Sequence, residues 1–360
     1  MKRNKLQAFF TVFLYIILLL AALAVMLLVF LTVTEYVPSP VEELKVDACG
    51  ECGAVSAGDD LTLLTWNLGF GALGKESDFI LDGGGKARPA DEATVKNYME
   101  GIRSVLSSHP EAALRLFQEV DIDSVRSHGI DERNYLQSLQ NAFSLNYSCR
   151  FVPLPIPVMG KVNSGLYTAA SAKMESAERL SLFCPFQWPI STANLKRCLL
   201  VSYLPVEGSN KKLVLINLHM DAYDEDAEGR TRQMEELTAL MAEEFAKGNY
   251  VIAGGDFNQA MPGMLAVYPN QHEDVYHMPE LDAASLPEGF TYVYDDTKPT
   301  CRLLNQPYDP SDLKNTQYYI IDGFIVSPNI QVNHVETIDT GFAFSDHNPV
   351  ELSVCLLPAN

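Results

Sequence analysis

The 360-residue chain is 47% hydrophobic and 20% charged, enough apolar content for a sizeable core and unlike a disordered polypeptide. Its formal charge of −20 argues against tight nonspecific binding of nucleic acid, because a phosphate polyanion is repelled by that mean field. A nuclease whose chemistry is organised by a local metal cation stays open, since a bound cation dominates the field near it.

Residues 1–7 form a basic tail containing Lys2, Arg3 and Lys5. Residues 8–34 carry no charged side chain, and at about 1.5 Å per residue they are long enough to cross a hydrocarbon core of roughly 30 Å with some tilt. The run exceeds the apolar region of a cleavable signal peptide and no small-x-small site follows it, so it reads as an uncleaved signal anchor, with a removed signal as the alternative. Basic residues before the span and Glu35, Glu42 and Glu43 after it place the amino terminus in the cytoplasm and the bulk of the chain outside it, on a single-pass protein of the cell membrane.

Residues 35–60 turn to Pro, Gly, Ser and acidic residues and read as a linker, and the catalytic domain is expected over 61–360. Seven cysteines leave at least one unpaired within a single chain, and Cys49-Gly-Glu-Cys52, without a second pair at zinc spacing, reads as a local disulfide or free thiols. Cys198 and Cys355 lie in apolar runs and read as core. Strand-length apolar runs are expected at 61–67, 113–118, 164–170, 199–204, 213–218, 250–253, 320–326 and 350–356, and helices at 92–107, 131–143 and 229–245, the last stopped by Lys247-Gly248. The alternation predicts two packed sheets with helices outside. There is no internal repeat, and no obligate protein partner is evident.

Polar residues interrupt these strands at one recurring place, their ends. Asn67, Glu119 and His219 close three runs, Asp256 and Asn258 follow a fourth in Gly254-Gly255-Asp256-Phe257-Asn258, and Asp322 and Ser345-Asp346-His347 occur near the carboxyl end. Singly, such residues are usually turn formers or solvated side chains. Jointly they supply hard oxygen ligands for Mg²⁺, with Mn²⁺ as an alternative, and groups able to move protons.

Thr-Trp-Asn, Gln-Glu, Asn-Ser-Gly-Leu, Asn-Leu-His, Gly-Asp-Phe-Asn, Ile-Asp-Gly and Ser-Asp-His-Asn-Pro also occur in the order of the endonuclease/exonuclease/phosphatase family, which the chain resembles over roughly 61–356. That resemblance implies a four-layer α/β sandwich, two packed mixed sheets flanked by helices, preceded here by the transmembrane helix. It further implies Asn67 and Glu119 as Mg²⁺ ligands with Asp346 contributing, Asp256 and His347 positioning and deprotonating a water, Asp322 orienting His347, Asn258 donating to a phosphoryl oxygen, and His219 contacting the phosphate or protonating the leaving oxygen. Which imidazole is base and which acid stays open.

Asn163 is taken as a substrate-binding candidate, with a plain turn as the alternative. Arg230 and Arg232 read as a solvated helix face, and the 68–90 insert reads as a flexible loop more than as a lid or phosphate-contacting segment. The apolar, proline-rich stretches 151–158 and 183–188 are expected to be irregular core; exposed, they would touch a bilayer. The expected substrate is a phosphodiester, in a phospholipid or small organic phosphate before DNA or RNA, with a silent phosphate-binding domain as a further alternative.

Overall fold

The computed structural model describes residues 2–48, 50–136, 138–222, 228–271, 278–312 and 316–358. The Cys49–Cys52 disulfide reading therefore lies outside the described residues. A helix, α1 (Lys2–Val33), is followed by β1 (Val41–Leu44), β2 (Asp47–Ala48), β3 (Asp60–Asn67), α2 (Glu92–Ser108), β4 (Ala112–Asp121), β5 (Gln140–Val152), β6 (Gly160–Ala170) and β7 (Ser176–Ser181). The second half runs β8 (Cys198–Pro205), β9 (Lys212–His219), α3 (Glu228–Ala246), β10 (Tyr250–Asp256), β11 (Thr291–Val293), β12 (Cys301–Arg302), β13 (Tyr318–Tyr319), β14 (Asp322–Val326), β15 (Ile330–Thr337) and β16 (Val350–Leu356).

Two seven-stranded sheets form, ordered β15-β16-β3-β4-β6-β5-β2 and β1-β7-β8-β9-β10-β14-β11. Each is mixed: β3 runs parallel to β4 and β9 parallel to β10, while the other ladders are antiparallel. Period-two alternation distributes the side chains between layers. Leu116 of β4 points between the sheets, where it joins Leu63, Leu166, Leu215, Ile252 and Phe324, and its neighbour Phe117 points outward toward the cluster holding Met99 and Ile102 of α2. On the far side Met234, Leu237 and Met241 of α3 cover Val214, Ile216 and Val251. The result is the expected four layers, helix, sheet, sheet, helix.

Local chemistry sets the helix ends. The Asp91 carboxylate accepts from the Thr94 amide at 2.8 Å and caps α2, an interaction worth about 1 kcal/mol. Gly248, at φ 84°, closes α3 with its amide on the Phe245 carbonyl at 2.8 Å, the stop the Lys-Gly pair predicts.

One expected helix is overturned. Residues 131–143 form a short 3-10 turn, Glu132–Tyr135, and then enter the thirteen-residue strand β5. Burial from Gln140 to Leu145 alternates with period two, and β5 is satisfied by a ladder to β6, so pairing decides where helical spacing misled. The 35–60 segment is also more than a linker: β1 adds to β7 and β2 to β5, so it edges both sheets. Cys198 is fully buried as expected, while Cys355 is only half-buried.

Gly255 lies at φ 149°, and a Cβ there would come within 2.0 Å of the Leu218 carbonyl oxygen on the adjacent parallel strand. Gly255→Ala is therefore expected to destabilise the fold by about 2–4 kcal/mol, through strain and forced strand separation. Urea unfolding checks it; an unchanged midpoint would refute the close-approach argument.

Within α1, residues Gln7–Val33 are long and apolar enough to cross a membrane, with a mean hydropathy of 3.2 over an 18-residue window. Its carboxyl-terminal end is held by the domain. Leu31 is buried, Leu27 packs on the outer core cluster, and Trp188 Nε1 donates to Thr32 Oγ1 at 3.0 Å. Just beyond the helix, Lys196 pairs with Glu35 at 2.8 Å and Arg179 lies over the Tyr36 ring.

Candidate active site

The strand directions bring the polar strand ends to one edge of the sandwich. β9 and β10 are parallel and β14 is antiparallel to them, so their register puts Asp256 beside His219 on one side and Asp322 on the other. In the second sheet Asn67 ends β3 opposite Gln118 of β4, and β16 starts beside Thr65, so the segment before it delivers Asp346 and His347 to the same edge. Ser345 fastens that segment by donating from Oγ to the Asn67 carbonyl at 2.8 Å. Between the sheets Gln118 Nε2 donates to Asn217 Oδ1 at 2.8 Å, and Asn217 Nδ2 donates to the Phe117 carbonyl at 3.1 Å, so a buried amide pair locks the two halves of the site together.

Asp256 is the hub. Its Oδ2 accepts from Asn67 Nδ2 at 3.0 Å and stands 3.4 Å from His219 Nε2 and 3.8 Å from His347 Nε2. Its Oδ1 accepts from the Asn258 amide at 2.8 Å, and Asn258, held at φ 50°, donates from Nδ2 to the Met220 carbonyl at 2.9 Å. Asp322 Oδ2 lies 2.8 Å from His347 Nδ1, which orients the imidazole with Nε2 toward Asp256. Glu119 does not close its strand as expected. It sits within β4 at φ 54°, where the ladder to β6 slips between Phe117 and Val120, and this bulge aims its carboxylate at the edge. Asn67 Nδ2 reaches Glu119 Oε1 at 3.3 Å, and His219 Nε2 stands 4.0 Å from the same oxygen.

These carboxylates crowd one another in a dry place. Burial pushes Asp256 up to about 6, with the Asp322 charge adding to the rise, and burial pushes Asp346 up to about 7. Burial holds His219 well below the usual imidazole range, helped by Arg197 and by His347, so it is neutral at pH 7. Burial also opposes charge on His347, yet the Asp322 carboxylate outweighs it and raises the imidazole well above its usual range.

Glu119, Asn67 and Asp346 are a hard oxygen-bearing set on one cavity, so by donor chemistry the residues fit Mg²⁺. The Asn67 amide turns its nitrogen to the carboxylates and its oxygen to the Gly69 amide at 3.0 Å, so ligation through oxygen requires the amide to turn over. Asp256, Asp322 and His347 also lie within ligating distance of one another, but the Asp322–His347 hydrogen bond already employs Nδ1, which favours a proton-handling role for that trio.

The edge opens into a cavity of about 820 Å³ lined by Asn67, Glu119, His219, Asp256, Asn258, Asp346 and His347. Asp322 stands behind His347 and reaches the cavity only through it. Asn163 is not among the lining residues; its Oδ1 accepts from Ser148 Oγ at 2.9 Å, and its neighbour Ser164 faces the cavity, one residue along a period-two strand. The 68–90 insert is a packed wall rather than a loose loop. Phe70, Leu73, Phe79 and Leu81 line the cavity from it, and buried Arg302 holds it by donating from Nη2 to the carbonyls of Gly74 and Ser77 at 2.9 and 3.3 Å. Arg230 is buried, not solvated, and Arg232 lies over the Phe183 ring at 3.6 Å.

Sequence reasoning missed three cavity arginines, Arg302 and two more. Arg126 is bidentate to Asp121 at 2.9 and 2.8 Å and lies over the Phe70 ring, and Arg197 pairs with Asp221 at 3.2 Å. Neither stands in a motif, and only the tertiary fold brings them to the site.

The layers form an α/β sandwich similar to that of solved endonuclease/exonuclease/phosphatase proteins. A solved endonuclease/exonuclease/phosphatase from Beutenbergia cavernae superposes with a TM-score of 0.55 at 15% identity, over 83% of this chain and 72% of that one. A family protein from Leptotrichia buccalis (TM-score 0.49, 16% identity, 81% and 98% covered) and TDP2 from Caenorhabditis elegans (0.48, 16%, 83% and 75%) are more distantly similar. No protein-family model and no curated protein sequence matches the chain. At such identity the likeness establishes the fold, and function is argued from the site.

Proposed function

We propose that the protein is a membrane-anchored, divalent-metal-dependent phosphodiester hydrolase that uses an activated water and works outside the cytoplasm. The observation that carries this reading is the set around Asp256: an Asp322–His347 pair on one side, neutral His219 on the other, and Glu119 with Asn67 across the same cavity. Hydrolysis at phosphorus builds charge on the phosphoryl and leaving oxygens, so it calls for a proton acceptor, cationic or N–H donors, and little covalent participation from protein.

Asp256, raised toward neutrality, is suited to take the proton from the attacking water. His347, kept as imidazolium by Asp322, would donate from Nε2 to a phosphoryl oxygen, with the Asn258 amide beside it. His219, being neutral, serves better as a hydrogen-bond donor to the phosphoryl group than as a strong acid. Glu119, Asn67 and Asp346 would hold Mg²⁺ or Mn²⁺, which supplies charge neutralisation at the phosphate and leaving oxygens when bound.

A lipid or other amphipathic phosphodiester is favoured over nucleic acid, because the cavity adds Val152, Leu154, Ile156, Met159 and Phe186 to its polar floor and the chain is strongly acidic. Incubating the full-length protein in detergent with Mg²⁺ or EDTA, against bis-p-nitrophenyl phosphate, plasmid DNA, RNA, sphingomyelin and phosphatidylinositol phosphates, tests it. Mg²⁺-dependent turnover with the lipids preferred is expected. Preference for DNA or RNA would make the protein a surface nuclease, and binding without turnover of any would make it a silent phosphate-binding domain.

A further inference from the structure

The two proline-rich stretches expected in the core reach the surface, although Val152 stays buried: Leu154 is 65% exposed, Ile156 80% and Trp188 61%, with Ile190 beside them at 64%. Large apolar side chains so exposed, on two separate loops, mark an interaction surface more than a packing accident. Their position is informative. Leu154, Pro155, Ile156 and Phe186 line the catalytic cavity, so the loops are its rim. Trp188, two residues beyond Phe186, is hydrogen-bonded to Thr32 in the last turn of α1, and α1 packs on β5 and on the 190–193 turn.

We infer that this rim is seated on the bilayer that α1 crosses, with Leu154, Ile156, Trp188 and Ile190 among the headgroups and upper acyl chains, so that the cavity opens directly onto the lipid surface. The inference rests on the reading of α1 as a membrane span and deepens the proposed function by naming where the substrate enters.

Helix length supports the placement. Because α1 is bound to the domain from about Leu27 onward, its free apolar part is about 20 residues, or roughly 30 Å, which matches the hydrocarbon core with nothing left over for a stalk. The Lys196–Glu35 pair and the Tyr36–Arg179 contact follow immediately and fix the domain to the helix end. A domain held without a stalk on a spanning helix must touch the interface with whatever surrounds that helix, and here that is the apolar rim. Trp188 fits the interfacial zone in kind, with an apolar ring and one hydrogen-bonded nitrogen. The acidic chain favours zwitterionic over anionic lipid.

The chain contains two tryptophans, and Trp66 is fully buried, so a bilayer quencher reads the rim selectively. The full-length protein is reconstituted in phosphatidylcholine vesicles with and without acyl chains brominated near the headgroup. Wild type, Trp188→Phe, and the double variant Trp188→Phe with Ile156→Trp are compared. Bromolipid is expected to remove about half of the Trp188 emission, and as much from the indole introduced by Ile156→Trp, while Trp188→Phe alone stays unquenched. An Ile156→Trp signal quenched no more than Trp66 would overturn the inference even if Trp188 is quenched, since contact would then stop at the helix root. Failure of the protein to float with the vesicles would also overturn it. Neither readout depends on turnover, so loss of the hydrolase reading alone would leave the quenching result standing.

Discussion

His347→Ala is expected to cut hydrolysis of a soluble phosphodiester by about 10²–10⁴, because the proposed role has its imidazole donating to the reacting phosphate. Its carbonyl, not its ring, accepts from Trp66 Nε1 at 2.9 Å, and the backbone amide rests on Ser345 Oγ, so alanine keeps the local scaffold. Asp322→Asn serves as the companion variant. It retains the shape of the carboxylate but removes the charge that holds His347 protonated, and it should lose rate to a similar order. Near-UV circular dichroism should be unchanged in both, because Trp66 reports packing beside the site. Retention of full rate by His347→Ala would remove the imidazole from the chemistry, and loss of rate with loss of the circular dichroism signal would make its role structural.

The second large effect is expected at Glu119. Glu119→Gln keeps volume and hydrogen bonding and deletes one negative charge, so titration calorimetry should find divalent-metal affinity weakened by at least about tenfold, with turnover falling in step. Excess Mg²⁺ should restore part of the rate if the defect is binding. The effect should be large because the backbone spends the left-handed conformation at φ 54° to aim this one side chain, and a non-glycine residue holds such a conformation at a cost of about 1–3 kcal/mol. Wild-type metal affinity in the variant would move the metal away from Glu119, toward the Asp256, Asp322 and His347 cluster.

Much of this arrangement was legible in the sequence because it depends on strand ends. Asn67, His219, Asp256 and His347 interrupt apolar runs, and once the runs pair in register their last residues share an edge. Residues read one position out show the limit of that logic. Asn163 and Ser164 face opposite sides of β6, and nothing in Asn-Ser-Gly states which side meets the cavity. The helix expected at 131–143 failed for a related reason. Tyr135, Leu136, Leu139, Ala142 and Phe143 have helical spacing, whereas the available partner, β6, rewards extended pairing. Arg126 and Arg197 were invisible because their carboxylate partners become neighbours of the active site only after folding. The apolar character of 151–158 and 183–188 was plain, but composition does not tell inside from outside.

The register of β9, β10 and β14 also bears on the temperature response of turnover. His219, Asp256 and Asp322 stand on consecutive strands about 4.8 Å apart, tied by backbone ladders and not by a mobile loop. Their mutual alignment is fixed when the chain folds, so the loss of freedom that would accompany gathering these groups at each encounter has already taken place. On the proposed reading, the activation barrier then carries little entropy from these three groups, and what ordering remains belongs to the rest of the site, the substrate and the water.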